Sequence, residues 1–276
     1  MKPKIKMFAF DLDGTLFTDD KRITQRTWDA LQIAVEKGVL LVPTTGRPVT
    51  GLPSALLNND NIRYVISANG SRIIDNRDNK IIKEDLIDVK LAKRVLDILM
   101  KYDCIIDIYY DGMGYMQESF HERVNEFHDN PAVAQYYRET RRTVPDIMQK
   151  FYEESRPVDK LQGTFLSMED RSRAREEITE IKDIKITSSI VNNLEMNLFT
   201  VNKGTAMVYL GEQLGIHSIE MMAIGDGDND IEMVEMAGTG IAMGNAIFEL
   251  KKVANDITDT NEEDGFAKAI EKYIAD

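Results

Sequence analysis

The chain alternates between two hydrophobic rhythms. Short apolar runs at residues 7–10, 39–42, 64–66 and 221–224 are too brief for helices and read as buried strands. Between them apolar positions recur at helical spacing. Trp28, Leu31 and Val35 form one stripe of a helix over residues 24–37, with Thr24 as its N-cap and Gly38 as its stop. Further helices are predicted from Lys203 to about Leu214 and over residues 230–237. Residues 247–253, 256–258 and 265–274 then read as helix, strand and helix. Strands alternating with helices predict an α/β fold around a parallel sheet.

Residues 85–199 break this rhythm. A helix is predicted over 89–102, with Leu91, Val95, Leu96 and Leu99 on one face. Strands follow at 104–110 and 114–118 around Asp111-Gly112, then a mixed stretch over 120–152, a strand at 160–168, a helix at 171–181, and strands at 184–191 and 194–199. In the last strand Leu194, Met196 and Leu198 alternate with Glu195, Asn197 and Phe199. Just before this block, residues 72–75 and 80–83 read as a β-hairpin. The expected organisation is a core of residues 1–84 and 200–276 with a second, α+β domain of residues 85–199 inserted into it. Within the mixed stretch, Arg138, Arg141 and Arg142 read either as a solvated helix face or as an anion patch toward a substrate.

The strand ends carry the chemistry, since ligands of open parallel sheets bind at the carboxyl ends of strands. Asp11 and Asp13 follow the first run at i, i+2 spacing, which puts both on one side of an extended chain. Two adjacent carboxylates repel as anions and invite a hard cation such as magnesium. Gly14 lets the backbone turn at once. The second run ends in Pro43-Thr44-Thr45-Gly46-Arg47-Pro48, where a hydroxyl and neighbouring N–H groups suit a phosphoryl oxygen, although a structural turn explains the same residues. Arg47 reads as an anion ligand or as an exposed ion pair. Asn69-Gly70 reads first as a turn and second as a group near the substrate. Lys203 at a helix N-terminus opposes the helix dipole, so a nearby anion would explain it, as would simple solvation. The last run leads into Gly225-Asp226-Gly227-Asp228-Asn229-Asp230, a dense set of oxygen ligands. It is not an EF-hand loop, because the later Glu is missing and the flanks are strand then helix.

Composition narrows the partners. Net charge is 34 − 47 = −13, which argues against nucleic acid while leaving room for a local site for a small phosphorylated metabolite. The single cysteine, Cys104, lies beside Ile105 and Ile106. It excludes an intrachain disulfide, fits a reducing compartment and reads as a buried apolar residue. No signal peptide or membrane-spanning run is visible, so a cytoplasmic protein with no membrane partner is expected. His121, His128 and His217 lack metal-ligand spacing, and no Walker loop or Gly-x-Ser-x-Gly occurs. No heptads appear, leaving monomer or homodimer open.

Four segments together carry a resemblance. Asp-Leu-Asp-Gly-Thr-Leu at 11–16, Thr-Thr-Gly-Arg-Pro at 44–48, Asn-Lys-Gly at 202–204 and Gly-Asp-Gly-Asp-Asn-Asp at 225–230 resemble the motifs of the haloacid dehalogenase superfamily, mostly magnesium-dependent phosphohydrolases. Ala-Met-Gly-Asn-Ala at 242–246 and Glu-Asp-Gly at 263–265 resemble the C-terminus of its Cof-type subgroup. The match spans both ends of the chain; the inserted block matches in size and placement only. The resemblance implies a Rossmann-like core with an inserted α/β cap that closes over the site and selects the substrate. It implies that Asp11 is the nucleophile, forming an aspartyl-phosphate, and Asp13 the general acid and base. Mg2+ would be held by Asp11, Asp226 and the backbone carbonyl of Asp13. Asp230 would orient waters or Lys203 from behind, with no firm place for Asp228. Lys203 would offset the charge of Asp11 and the phosphoryl group, and Leu12, Thr45, Gly46 and Asn229 would hold phosphoryl oxygens. The implied activity is a phosphatase of small soluble phosphoesters, with sugar phosphates as the expected class. Alternatives are a phosphosugar mutase, a phospho-accepting signalling module like a bacterial receiver domain, and a binding protein that has lost activity.

Overall fold

The first apolar run forms the strand Met7–Phe10, with all four side chains fully buried. Both faces are dry because helical segments cover both. Met7 and Ala9 pack with Met207, Leu210 and Met233, while Phe8 and Phe10 each stack 5.3 Å from the Phe266 ring. In the computed structural model, which describes residues 4–275, the neighbouring strands are parallel and run in the order Asp256–Ile257, Thr239–Ala242, Met221–Gly225, Met7–Phe10, Leu40–Pro43. The ends of the three strands that lead into the predicted motifs are therefore side by side. The run at Tyr64–Ser67 does not join this sheet as a full strand. It opens a separate three-stranded sheet with Arg72–Asp75 and Lys80–Glu84, tied to the second strand's end by a parallel bridge between Thr44 and Ile66.

The chain divides into two units. One comprises residues up to Gly46, Pro53–Lys83 and the chain from Asn202 on; the other comprises Arg47–Leu52 and Glu84–Val201. The expected core of 1–84 and 200–276 differs from this division chiefly at Arg47–Leu52. There the Arg47 guanidinium lies 3.9 Å over the Tyr136 ring and donates to the Gly51 carbonyl at 2.9 Å. Arg47 is thus buried, which removes its reading as an exposed ion pair.

The second unit is built on a six-stranded sheet in the order Ile184–Thr187, Asn193–Leu198, Lys160–Phe165, Cys104–Tyr110, Met113–Gln117, Arg141–Val144, antiparallel except for its last pair. Asp111 and Gly112, at φ +51° and +71°, make the tight turn between its central hairpin strands, as a primed turn requires. One sheet face packs with the helices Val89–Leu99 and Met168–Thr179 through Leu96, Leu99, Leu161, Leu194 and Met196. Glu195 and Asn197, which alternate with the apolar residues of Asn193–Leu198, are buried too. The opposite face carries charges that compensate one another: Lys160 lies 3.2 Å from Glu195, and Arg141 lies 3.3 Å from Asp107. The arginine cluster is accordingly divided. Arg141 is buried in that network, Arg138 bonds Asn125 at the surface, and Arg142 is exposed. The mixed stretch resolves into the helices Glu118–Phe127, Pro131–Thr140 and Ile147–Glu154 around the strand Arg141–Val144. Among the described residues no helix is long and apolar enough to cross a membrane.

Candidate active site

Asp11 stands where the first strand stops, its N–H still bonded to Ile224 of the neighbouring strand at 3.1 Å. Its Oδ1 accepts from Lys203 Nζ at 2.6 Å, and the same ammonium reaches Asp230 Oδ1 at 2.6 Å. Lys203 begins the helix Lys203–Leu214, capped by Asn202, whose side chain accepts the Thr205 N–H at 2.7 Å. Its side chain is fully buried. The other oxygen of Asp230 accepts the backbone N–H groups of Asp226 and Gly227, each at 3.0 Å. Asp230 thus folds the fourth motif onto the lysine and has both oxygens committed. Asp226 Oδ1 accepts the Thr15 hydroxyl at 2.7 Å. One carboxylate oxygen from each of Asp11, Asp226 and Asp230 lies within 4.8 Å of the others.

Two glycines make this closeness possible. Gly14 has φ +80°, and a Cβ there would sit 2.4 Å from Asp226 Oδ2. A Cβ on Gly225 would sit 2.4 Å from Asp230 Cγ.

The electrostatics are those of a cation site. Burial pushes the Asp11 carboxyl well above its ordinary range, with Lys203 opposing. Burial, and then the charge of Asp230, push Asp226 up to about 7 against the Thr15 hydrogen bond. Burial disfavours the charge on Lys203, but Asp11 and Asp230 outweigh it and hold the ammonium on. Three carboxylates against one ammonium leave excess negative charge in a dry place, which suits a hard divalent ion with oxygen ligands. Since Asp230 is spent on Lys203 and two N–H groups, Asp11 and Asp226 keep the acceptor capacity.

The remaining predicted residues fall around this cluster. The side chain of Asp13 turns to Lys21, whose Nζ lies 2.7 Å from its Oδ1. Thr45 is buried at the second strand's end, its N–H bonded to Ile66 and its carbonyl to the Asn69 N–H. Gly46, next in the chain, is half-buried. Asn229 Nδ2 donates to Asn69 Oδ1 at 3.0 Å. Leu12 has its side chain in the core, so any part it plays toward a ligand falls to its backbone. Asp228 is outside the carboxylate cluster. Two groups were missed, Thr15 and Lys21, while Asn69 takes the second of its two readings, beside Thr45 and Asn229. Asn69 links the Thr45 and Asn229 segments from a left-handed backbone at φ +59°, a conformation to which Asn is suited and which Asn-Gly in sequence hints at. Nothing local marks Lys21 or Thr15 as partners of Asp13 and Asp226.

The profile of the haloacid dehalogenase-like hydrolases matches residues 8–270. The 5-amino-6-(5-phospho-D-ribitylamino)uracil phosphatase YcsE of Bacillus subtilis is 31% identical over 271 residues, covering 98% of this chain and 96% of its own. Among solved structures, a haloacid dehalogenase-like hydrolase from B. subtilis superposes with a TM-score of 0.86 at 27% identity, covering 98% of this chain and 100% of its own. A HAD subclass IIB sugar phosphatase does so with a TM-score of 0.83 at 25% identity, covering 97% and 98%.

Proposed function

The chain belongs to the haloacid dehalogenase-like hydrolases, and from that premise we propose that this phosphatase hydrolyses small phosphomonoesters of sugars and polyols with magnesium as its cofactor. The observation that carries the reading is Lys203 bridging Asp11 and Asp230 at 2.6 Å each beside Asp226. The substrate class rests on two names: the B. subtilis relative acts on a phosphate carried by a ribityl chain, and one structural neighbour is a sugar phosphatase.

Asp11 attacks phosphorus through one carboxylate oxygen and keeps the other for the magnesium ion it would hold. The P–O bond to the substrate breaks as the Asp11 oxygen bonds phosphorus, giving an aspartyl-phosphate. Asp13 gives its proton to the leaving alcohol, then takes one from the water that attacks phosphorus and frees Asp11 and inorganic phosphate. Lys203 stabilises the charge gathering on the phosphoryl oxygens, and Thr45, Gly46, Asn229 and the Leu12 backbone hold those oxygens in line. Asp11, Asp226 and the Asp13 carbonyl would hold the magnesium ion, which supplies charge neutralisation at the phosphoryl group when bound. Asp230 keeps Lys203 aimed. The second unit is the substrate-selecting cap.

The test is phosphate release from a panel of sugar phosphates, polyol phosphates, nucleotides and an aryl phosphate, with and without magnesium, for wild type and Asp11→Asn. Turnover that requires magnesium and falls roughly a thousandfold or more in Asp11→Asn is expected. Turnover surviving that substitution, with deamidation excluded, would remove Asp11 as nucleophile.

A further inference from the structure

The loop after the first strand is held more firmly than a surface turn needs to be. Within it, the Thr18 N–H bonds the Arg22 carbonyl at 3.0 Å, the Lys21 N–H bonds the Thr18 carbonyl at 2.8 Å, and the Thr18 hydroxyl accepts the Arg22 N–H at 3.1 Å. This lock keeps Lys21 at φ +63°, a left-handed conformation unfavourable for any residue with a side chain. From that conformation Lys21 reaches back across the loop, its Nζ 2.7 Å from Asp13 Oδ1.

The loop is also braced from the far end of the chain. Asn245 Nδ2 donates to the Gly14 carbonyl at 2.8 Å, and the Asn261 N–H donates to Asn245 Oδ1 at 3.1 Å. Asn261 Nδ2 donates to the Phe17 carbonyl at 3.1 Å and to Asp19 Oδ1 at 3.0 Å. The Asp19 N–H bonds Glu262 at 2.7 Å. Asn245 lies in the Ala-Met-Gly-Asn-Ala segment, to which the reaction as described gives no task.

Asp13 has reason to need holding. Asp13 follows Asp11 by two residues, so two like charges start from the same side of the chain. A free aspartate also samples several rotamers, and small misplacement of a reacting group is costly in rate. We propose that Lys21 is a positioning residue for the reaction: on a loop braced by Asn245 and Asn261, its ammonium holds Asp13 Oδ1 and so turns Oδ2, the oxygen that carries the proton, toward the leaving oxygen. The proposal rests on the reading of Asp13 as general acid.

The experiment compares kcat/KM of wild type, Lys21→Met, Lys21→Arg and Asp13→Asn on glycerol phosphate and on p-nitrophenyl phosphate. This ratio reports the steps up to phosphoryl transfer. An alkyl alkoxide needs a proton to leave and a nitrophenolate does not, so loss of the acid affects the first ester alone. Lys21→Met is expected to lower kcat/KM for glycerol phosphate by about 10- to 100-fold and to leave the aryl ester within about threefold, with Lys21→Arg restoring most of the loss. Magnesium affinity and melting temperature checked in parallel exclude a merely unfolded variant. Equal losses on both esters, no loss on either, or a gain on the alkyl ester would overturn the proposal. Asp13→Asn separates the two layers. If it shows the split and Lys21→Met does not, Lys21 alone is wrong; if Asp13→Asn shows no split, the acid assignment falls and the proposal with it.

Discussion

Lys203 Nζ lies 2.6 Å from Asp11 and from Asp230, fully buried, while the second oxygen of Asp230 binds two backbone N–H groups. Removing one partner from such a set leaves charges stranded in a dry site, at a cost of about 3–5 kcal/mol. Lys203→Met is therefore expected to lower urea-unfolding stability by roughly that amount in EDTA, and by less in magnesium, because a bound dication takes over part of the compensation. An equal loss in both conditions would argue against a cation at this cluster. Gly14 gives a second prediction. With φ +80° and a Cβ position 2.4 Å from Asp226 Oδ2, Gly14→Ala must push Asp226 aside. Calorimetric magnesium affinity is expected to weaken about 10- to 100-fold, the scale on which disturbed ligand geometry is felt. Asp11, Asp226 and Lys203 were legible because each belongs to a contiguous motif at a strand or helix end. Lys21 was not, because its meaning depends on which distant atom a turn brings to it, and Asn69 was legible only as the second of two readings.

Helix contacts decide the sign of a substitution that propensity alone would get wrong. Gly204 lies in the first turn of the helix Lys203–Leu214, and a Cβ there would lie 2.6 Å from the backbone carbon and oxygen of Glu232 in the helix Ile231–Met236. In an isolated helix Gly→Ala gains up to about 1 kcal/mol. Against rigid backbone the overpacking costs about 1–3 kcal/mol, so Gly204→Ala should lower the melting temperature. A rise would mean that the two helices can part without penalty. In the second unit, His128 is buried with its ring 4.4 Å from that of Tyr137 and no hydrogen bond to Nε2. Burial, then Arg141, lower its pKa to about 4. Unfolded, it takes its proton near the usual value of about 6.5. Between those pH values the unfolded chain binds the extra proton, so His128 contributes fully above about pH 6.5 and its contribution drains away as pH falls toward 4, by up to about 3 kcal/mol. His128→Phe should flatten that slope in denaturant titrations at several pH values. Strands and long helices were legible from period alone, but the segment around Arg141–Val144 was not. Its strand reads Arg-Arg-Thr-Val at a sheet edge, with three of its four residues outside the core, and has no hydrophobic alternation to announce it. The membership of Tyr64–Ser67 in a separate sheet was likewise hidden, since pairing partners are a tertiary choice.

At the scale of the whole chain, a metal ion held by Asp11 and Asp226 would make stability a function of its concentration. Magnesium at a hundred times its dissociation constant should stabilise the folded protein by about 2.7 kcal/mol, raising the melting temperature relative to EDTA. In Asp226→Asn the shift should vanish. The parallel order that brings the strand ends together also sets a timetable for the nascent chain. Met7–Phe10 finds one neighbour at Leu40–Pro43, but its other neighbour is Met221–Gly225, and the strap that braces the Asp13 loop ends at Asn261. The N-terminal strand therefore leaves the ribosome long before its partner exists, a wait of roughly 10–40 s at ordinary elongation rates. Glu84–Val201, contiguous except for the short piece Arg47–Leu52, emerges during that interval. The two halves of the proposed reaction centre, Asp11 and the loop of Asp226, are thus kept apart in time, and they can meet only once Met221–Gly225 has emerged.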